Sequence, residues 1–474
     1  MEQIGHRLEQ SIDLDPLIEE AGKDNIRHVL LGEASHGTSE FYSWRTEITK
    51  RLIAEKKFSF IAVEGDWPDC YNVNRYVKGM SNYVISNTNS DNINSAYDIL
   101  YTFNRWPTWM WANREIIDLI EWLKKYNENL PEEQKVGFYG LDVYSLWDSM
   151  ESVIKYLKRV DPNAIKMAIE AYRCFEPYRE SVEDYARATA FVPESCEDEV
   201  IDMLINLRSK AGQYKTDGLG KREEYFNAEQ NAIVAKNAEL YYRKMIQGGT
   251  ATWNIRDTHM MDTLKRLMDF YDGKYDGRSS KDINNNNLHS KSIVWAHNTH
   301  VGDARQTDMA AAKMINLGQL VREHASEQNV IIVGFGTYKG TVIAAKEWGE
   351  KMERMNVPPA VEGSWDNLIH KRTNGTNSIL LFRGESDQRN NAEELIALHS
   401  KESIKDDNIK RKKGQRAIGV VYHPEYEKYG NYVPTTLAKR YDAFLYIDET
   451  HALSPLHMPE IHEKELPETF PTGL

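Results

Sequence analysis

The chain has 474 residues, of which 41% are hydrophobic and 28% charged, and its formal net charge is −13. This size permits a large buried core, arranged as one elaborated domain or two ordinary ones. The negative charge argues against a nucleic-acid partner, because binding to phosphates needs a basic surface. The three cysteines are odd in number and widely spaced, and they are Cys70, Cys174 and Cys196. We therefore expect neither a disulfide framework nor a zinc site. This cysteine pattern predicts a protein of a reducing compartment.

The chain shows no pattern typical of export or membrane insertion. Its first twenty residues are acidic and amphipathic, whereas a signal peptide has a basic start followed by an apolar stretch. No apolar run approaches the length that spans a bilayer. The sequence therefore predicts a soluble, cytoplasmic protein that does not insert into membranes.

Short apolar runs rich in Val, Ile and Phe alternate with longer helical patterns. Such runs occupy residues 28–34, 58–66, 136–142, 292–298, 329–336, 417–423 and 443–449. Continuous apolar runs are typical of strands that are buried on both faces of a parallel sheet. Helices are predicted over residues 38–55, with Thr38 or Ser39 as N-cap, and from Pro107 to residue 128. The alternation predicts an α/β fold with a mostly parallel sheet flanked by helices.

The middle of the chain has a different pattern. Residues 148–247 contain several helical periodicities and no convincing strand, which predicts a helical insertion. Residues 1–147 and 248–474 would then form the two parts of the α/β core. Another helix is predicted over residues 252–271, with Asn254 as a possible cap.

Ionisable side chains follow four of the predicted strands. They are Glu33 and His36 after the first, Glu64 after the second, Asp142 after the third, and His297 and His300 after the fourth. Ligands of open parallel sheets bind beyond the carboxyl ends of the strands, so these groups predict a site there. Taken singly, each histidine could be a hydrogen-bonded structural residue, and Asp142 is expected to hold a loop backbone.

Arg45 lies on the apolar face of the first predicted long helix. A buried guanidinium needs a partner, because an unpaired buried charge is costly, and Glu33 or Glu64 would supply one. The alternative is that Arg45 extends its charged end to solvent.

Three tryptophans, Trp106, Trp109 and Trp111, surround Pro107. They either pack in the core or form an apolar wall for a large, poorly charged ligand. Several familiar catalytic motifs are absent, namely GxSxG, HExxH and the Walker A loop. The glycine-rich run at 334–340 does not fit GxGxxG and is a weak signal.

Six motifs, in this order, resemble the erythromycin esterase family: "GEASHG", "VEGDWPD", "RWPTWMW", "GLDVYS", "NIRDTHM" and "WAHNTHVG". The resemblance extends from about residue 25 to 455. It implies an α/β core, a helical insertion that forms one wall of a deep cleft, and hydrolysis of an ester or lactone by water activated at His36, without a covalent intermediate. The residues that match the family's catalytic and supporting positions are His36, Glu64 and His297, and Glu33, Arg45, His300 and Arg256.

The sequence thus predicts a carboxylic ester or lactone hydrolase that acts on a small, macrolide-like molecule and needs no cofactor. Two alternatives remain. In the first, a divalent metal serves the hydrolysis, with Glu33, His36, Glu64, His297 and His300 as ligands. In the second, the chain is a non-catalytic accessory protein of a polysaccharide pathway. Its oligomeric state is not indicated.

Overall fold

The computed structural model describes residues 5–80, 95–178, 182–191, 195–214, 219–245, 248–276, 289–383, 396 and 412–456. The described strands are β1 Gly5–Arg7, β2 His28–Leu31, β3 Phe60–Asp66, β4 Gly137–Asp142, β5 Ser292–Trp295, β6 Val330–Ala344, β7 Glu353–Val357, β8 Ser378–Leu381, β9 Lys413–Arg416, β10 Tyr432–Thr435 and β11 Ala443–Thr450.

The α-helices within these ranges are α1 Asp15–Ala21, α2 Ser39–Lys56, α3 Trp67–Lys78, α4 Ala96–Leu100, α5 Arg114–Asn127, α6 Leu146–Val160, α7 Ile165–Phe175, α8 Val182–Phe191, α9 Glu197–Ser209, α10 Ala211–Tyr214, α11 Leu219–Met245, α12 Ala251–Tyr271, α13 Asn298–Val301, α14 Leu317–Ala325, α15 Trp365–Thr373, α16 Glu427–Gly430 and α17 Leu437–Arg440. The chain forms two compact units. The first comprises residues 1–61, 103–119 and 268–474, and the second comprises residues 62–102 and 120–267.

The first unit contains a mixed sheet in which strands follow the order β1-β8-β11-β6-β2-β5, and β7 pairs with β6. The central pairs β11–β6, β6–β2 and β2–β5 are parallel, whereas the pairs of β1, β8 and β7 are antiparallel. All four residues of β2 and of β5 are buried. The α/β fold class predicted from the apolar runs is therefore confirmed.

The register of the central strands places two predicted site residues at one edge of this sheet. Leu31 of β2 pairs with Trp295 of β5, so these parallel strands end level with each other. Glu33 and His297 each lie two residues beyond those ends. Strand β6 continues past them for a further eleven residues after Val333, the partner of Leu31. The glycine-rich run at 334–340 is thus the interior of a strand and not a phosphate-binding loop.

Strand β4 and residues 62–66 of β3 belong to the second unit, and these two strands are neighbours in the sheet order. The described residues from 146 to 245 form helices and turns without a strand. The helices predicted in this part of the chain are confirmed, while the proposed boundaries of an insertion stay a prediction. A disulfide joins Cys174 of α7 to Cys196, which precedes α9. The expectation of unpaired cysteines was therefore wrong, and the argument for a reducing compartment that rested on it no longer holds.

Three local predictions were wrong. Residues 417–423 do not form a strand: Ile418 and Val421 make single bridges to Ser35 and Ala345, and Ile418 is buried by packing instead of by a ladder. The helix predicted from Pro107 begins at Arg114, because the Asn113 side chain accepts the N–H of Ile116 and caps it there.

The third wrong prediction concerns a helix cap. Helix α12 begins at Ala251, so Asn254 lies inside its first turn and does not cap it. Thr38 does occupy the N-cap position of α2, but its hydroxyl bonds to Ser35 and makes no capping hydrogen bond. No helix in the described ranges has the length and apolar character that crossing a bilayer requires.

Candidate active site

Glu33 joins a histidine to an arginine at the edge of the sheet in the first unit. Its Oε1 lies 2.9 Å from Nδ1 of His36, and its Oε2 accepts a hydrogen bond of 2.6 Å from Nη2 of Arg45. Glu33 is 2% exposed and Arg45 1%. The carboxylate therefore compensates the buried guanidinium and orients the imidazole at the same time.

The structure decides between the two partners that were considered for Arg45. Its ion pair is with Glu33, and its guanidinium also lies over the rings of Tyr42 and Trp295, at 4.3 and 4.5 Å from their centroids. Cation–π contacts strengthen when the groups are desolvated, as here. Arg45 thus lies buried among aromatic rings and does not extend to solvent. Its ion pair holds Glu33 in place.

His297 lies beside His36, with 4.8 Å between the ring centroids. It is the N-cap residue of α13, and its Nδ1 accepts the backbone N–H of Thr299 at 3.3 Å and lies 2.8 Å from the Thr299 hydroxyl. Because a backbone N–H can only donate, neutral His297 carries its proton on Nε2. His300 is buried in the same short helix and donates its backbone N–H to the carbonyl of His297.

A second charged cluster lies in the other unit and contains three of the predicted residues. Arg256 donates to Oε1 of Glu64 at 2.7 Å and to both carboxylate oxygens of Asp142 at 2.9 and 2.6 Å. Its guanidinium lies 4.9 Å from the ring centre of Tyr144. All four side chains are buried. Arg256 therefore satisfies two carboxylates at once, which explains how two acids are accommodated there.

Burial and charge act against each other on Asp142. Burial would raise the pKa of its carboxyl, but the charge and hydrogen bonds of Arg256 outweigh burial and lower the pKa below its usual value. Burial likewise opposes the charge of Arg256, yet Asp142, Tyr144 and Glu64 raise its pKa well above the ordinary value. Asp142 also accepts the N–H of Val143, in keeping with the structural role expected for it.

The three tryptophans are all buried in the first unit. Trp109 is 0% exposed, while Trp106 and Trp111 are 5% and 6% exposed. The indole of Trp106 donates to the backbone oxygen of Glu350 at 2.9 Å and packs on Trp348 at 4.5 Å between centroids. Trp111 packs edge-to-face at 6.4 Å on Tyr42, whose ring also contacts the guanidinium of Arg45. Contact with a ligand remains a prediction for these residues.

Sequence reasoning missed three residues that shape the histidine pair. Thr299 sets the tautomer of His297, and Tyr42 and Trp295 enclose Arg45. A detectable signal existed only for Thr299, because the side chain of a residue at a helix N-cap accepts the backbone N–H two or three residues on. The aromatic neighbours of Arg45 depend on how β5 packs against α2, which the sequence pattern does not encode.

Among the residues that the structure describes, no group of three or more His, Cys, Asp or Glu side chains is arranged to hold a metal ion. In the first unit, both oxygens of Glu33 are already bonded to His36 and Arg45. This arrangement does not support the five-ligand metal site considered as an alternative, and the expectation that no cofactor is needed stays a prediction.

The chain resembles solved structures over nearly its whole length. A succinoglycan biosynthesis protein matches at 20% identity with a TM-score of 0.66, covering 95% of this chain and 96% of that one. A Bacillus cereus protein matches at 18% identity with a TM-score of 0.67, covering 96% of both chains. A mutant of the erythromycin esterase EreC in its open conformation matches at 14% identity with a TM-score of 0.61, covering 95% of this chain and 98% of that one. At these identities the likeness shows a shared fold.

A family model described as Erythromycin esterase matches residues 53–450. The matched range includes Glu64 and His297, whereas Glu33, His36 and Arg45 precede it. Since the match covers well over half of the sequence, this chain belongs to the erythromycin esterase family.

Proposed function

We propose that this chain hydrolyses a carboxylic ester or lactone with a water molecule activated by His36, and that no covalent intermediate forms. The observation that carries the proposal is the buried pair of His36 and Glu33 at a sheet edge, in a chain of the erythromycin esterase family.

His36 has the arrangement that a general base needs. An ionised carboxylate only accepts hydrogen bonds, so the contact between His36 and Glu33 requires neutral His36 to carry its proton on Nδ1. The lone pair is then on Nε2, where the ring takes a proton from water. Arg45 keeps Glu33 in place through the second carboxylate oxygen. Assistance by such a base typically contributes about 10²–10⁴-fold to the rate.

His297 has the opposite tautomer and so the complementary capacity. With Nδ1 occupied by the Thr299 N–H, its Nε2–H is a hydrogen-bond donor. As the water oxygen bonds to the ester carbon, the water proton passes to Nε2 of His36 and the carbonyl oxygen becomes negative. His297 stabilises that oxyanion. Cleavage of the C–O bond releases an alkoxide, which recovers the proton from His36 and yields an acid and an alcohol.

Glu64 is proposed as the third catalytic group. Its Oε1 is held by Arg256, and a carboxylate has further lone pairs with which it can orient water or a substrate hydroxyl. Arg256 then acts by fixing Glu64 and Asp142. His300 is proposed to support His297 from within the same helix.

The substrate proposed is a small molecule with an ester or lactone, and macrolides are the first class to test, since their hydrolysis would confer antibiotic resistance. Trp106, Trp109 and Trp111 are proposed to give apolar contact with it. No cofactor, nucleic acid or membrane enters the proposal. A cytoplasmic location is also proposed, and isolation of the protein from cell fractions with its thiols trapped tests both that location and the Cys174–Cys196 bond.

The test is a screen of purified protein against macrolides, simple lactones and acyl esters, in parallel with the His36→Asn variant. We expect turnover of at least one substrate and a loss of at least about 100-fold in kcat in the variant, with KM and thermal unfolding nearly unchanged. In H₂¹⁸O the acid product should carry one label, and mass spectrometry should find no acyl-enzyme.

Three outcomes would overturn this proposal. Absence of turnover with every substrate would favour a non-catalytic accessory protein. An undiminished rate in His36→Asn would remove His36 from the mechanism. Activity that is lost on chelation and restored by an added divalent ion would favour the metal-dependent alternative.

A further inference from the structure

Helix α13, which follows His297, is attached to its surroundings through a buried asparagine. The backbone N–H of Asn298 donates to the carbonyl of Glu33 at 2.8 Å, and its carbonyl accepts from Nη2 of Arg440 at 2.9 Å. Asn298 is 1% exposed. One residue thus joins the helix to the end of β2 and to α17.

The side chain of Asn298 adds a third attachment. Its Nδ2 donates to the carbonyl of Phe335 at 2.7 Å, and its Oδ1 accepts the N–H of Phe335 at 3.3 Å. Strand β2 has ended by this point, since Leu31 pairs with Val333 and the N–H of Gly32 makes the last bond, to the carbonyl of Val333. The carboxamide therefore replaces the missing strand and satisfies backbone groups of β6 that would otherwise be buried without partners.

Gly32 provides the space for this carboxamide. A Cβ atom on residue 32 would lie 2.1 Å from Oδ1 of Asn298, closer than any van der Waals contact permits. A glycine is therefore required at position 32, because a side chain approaches the backbone closely there. Gly32 and Asn298 therefore pack directly against each other just beyond the ends of β2 and β5.

We propose that Asn298 is a positioning residue of the hydrolysis: it fixes α13, so that His297 keeps its separation from His36 and the N–H of Thr299 stays on Nδ1 of His297. This inference rests on the proposed function. Asn298 follows His297 directly, and its backbone bond reaches Glu33, the residue that orients His36. The 4.8 Å separation of the rings therefore depends on a residue that touches neither ring's reactive nitrogen.

The test compares Asn298→Ala with a matched control, Asn127→Ala. Asn127 is also buried, and its carboxamide donates to the carbonyl and accepts the N–H of Val136, both at 2.8 Å, and it also donates to the carbonyl of Val77 at 3.1 Å. Both variants lose a carboxamide that bonds the N–H and carbonyl of one buried residue, and Asn127→Ala loses one further bond, so the control should lose at least as much thermal stability. Because a displacement of about 1 Å can cost about 100-fold, we expect a 10–100-fold lower kcat for Asn298→Ala only, with KM within about twofold.

A second measurement does not depend on activity. In protein labelled with ¹⁵N at histidine, nitrogen shifts report the tautomer of His297, and we expect Nε2–H in the wild type and in Asn127→Ala. In Asn298→Ala we expect the signals of His297 to change. If Asn298→Ala does not fold, Asn298→Asp serves instead: it keeps the acceptor for the N–H of Phe335, loses the donor and adds a buried carboxyl group, for which Asn127→Asp is the matched control.

The outcomes separate the two proposals. Unchanged His297 signals and an unchanged kcat in the folded Asn298 variant would overturn the positioning role and leave the hydrolase proposal standing. Wild-type protein that hydrolyses no ester would overturn the hydrolase proposal and with it the catalytic consequence claimed for Asn298. An equal fall of kcat in Asn127→Ala would assign the effect to general destabilisation and would also overturn the positioning role.

Discussion

Glu33→Gln should abolish the proposed hydrolysis by reversing the tautomer of His36. A carboxamide has one acceptor and one donor end, and the guanidinium of Arg45 can only donate. The oxygen of Gln at position 33 must therefore face Arg45, which leaves its NH₂ group facing Nδ1 of His36. To accept that hydrogen bond, neutral His36 must move its proton from Nδ1 to Nε2. The nitrogen that would activate water is then already protonated.

The magnitude follows from the two contacts that change. Losing the base should lower kcat by about 10²–10⁴-fold, the usual contribution of such a group. Removing the charge next to buried Arg45 should also cost stability, and one-sided loss of a buried pair typically costs about 3–5 kcal/mol. The lower end is expected, because the carboxamide oxygen still accepts from Arg45 and the rings of Tyr42 and Trp295 still surround the guanidinium.

The assay is kcat for the best ester found, together with urea unfolding, for Glu33→Gln and a matched control, Glu223→Gln. Glu223 is a buried carboxylate paired with Lys78 at 2.8 Å, and its carboxylate accepts from Asn74 and Tyr139 and contacts no histidine within the described residues. Both variants should lose comparable stability, but only Glu33→Gln should lose kcat. A kcat within about threefold of the wild type in folded Glu33→Gln would refute the tautomer argument.

Three further predictions concern acid stability, ligand contact and metal. Burial, with the charge of Arg27, lowers the pKa of His28 to about 3, so the unfolded chain takes up a proton near pH 6.5 and the folded protein does not. The contribution of neutral His28 to the free energy of unfolding should be fully present above pH 6.5 and should fall by on the order of 4 kcal/mol between pH 6.5 and 3. Urea unfolding should show a smaller fall in His28→Gln, and an equal dependence of the unfolding free energy on pH in both proteins would contradict this. Trp106→Ala and Trp111→Ala should raise KM for a bulky ester more than for a small one, whereas equal rises would indicate that both residues only pack in the core. Protein purified without added metal should keep its rate in EDTA, and elemental analysis finding a stoichiometric ion whose removal abolishes the rate would refute that expectation.

Much of the first unit was predictable from local pattern. Strands β2, β5, β6 and β11 were recognisable because a strand that is buried on both faces must be apolar along its length. Sites beyond the carboxyl ends follow from parallel topology, and the level ends of β2 and β5 do place Glu33 and His297 at one edge.

Other elements depended on information that a local pattern lacks. Residues 417–423 are as apolar as a strand, yet they are buried by neighbours without forming a ladder, and burial alone produces the same composition. The start of α5 depends on the cap at Asn113, whose preference competes with the helical periodicity upstream. Pairing of Cys174 with Cys196 depends on the packing of helices α7 and α9, which cysteine spacing does not reveal.

The sequence by itself determined the fold class, the family resemblance and the set of candidate residues, because apolar periodicity and ordered motifs are written along the chain. Only the tertiary structure decided which groups are partners. Arg45 forms an ion pair with Glu33, and Arg256 forms one with Glu64. Asn298 bonds to Phe335, 37 positions away. These choices, and the tautomers of His36 and His297 that follow from them, depend on strand register and helix packing. Such long-range geometry arises from the whole fold and leaves no periodic trace in the sequence.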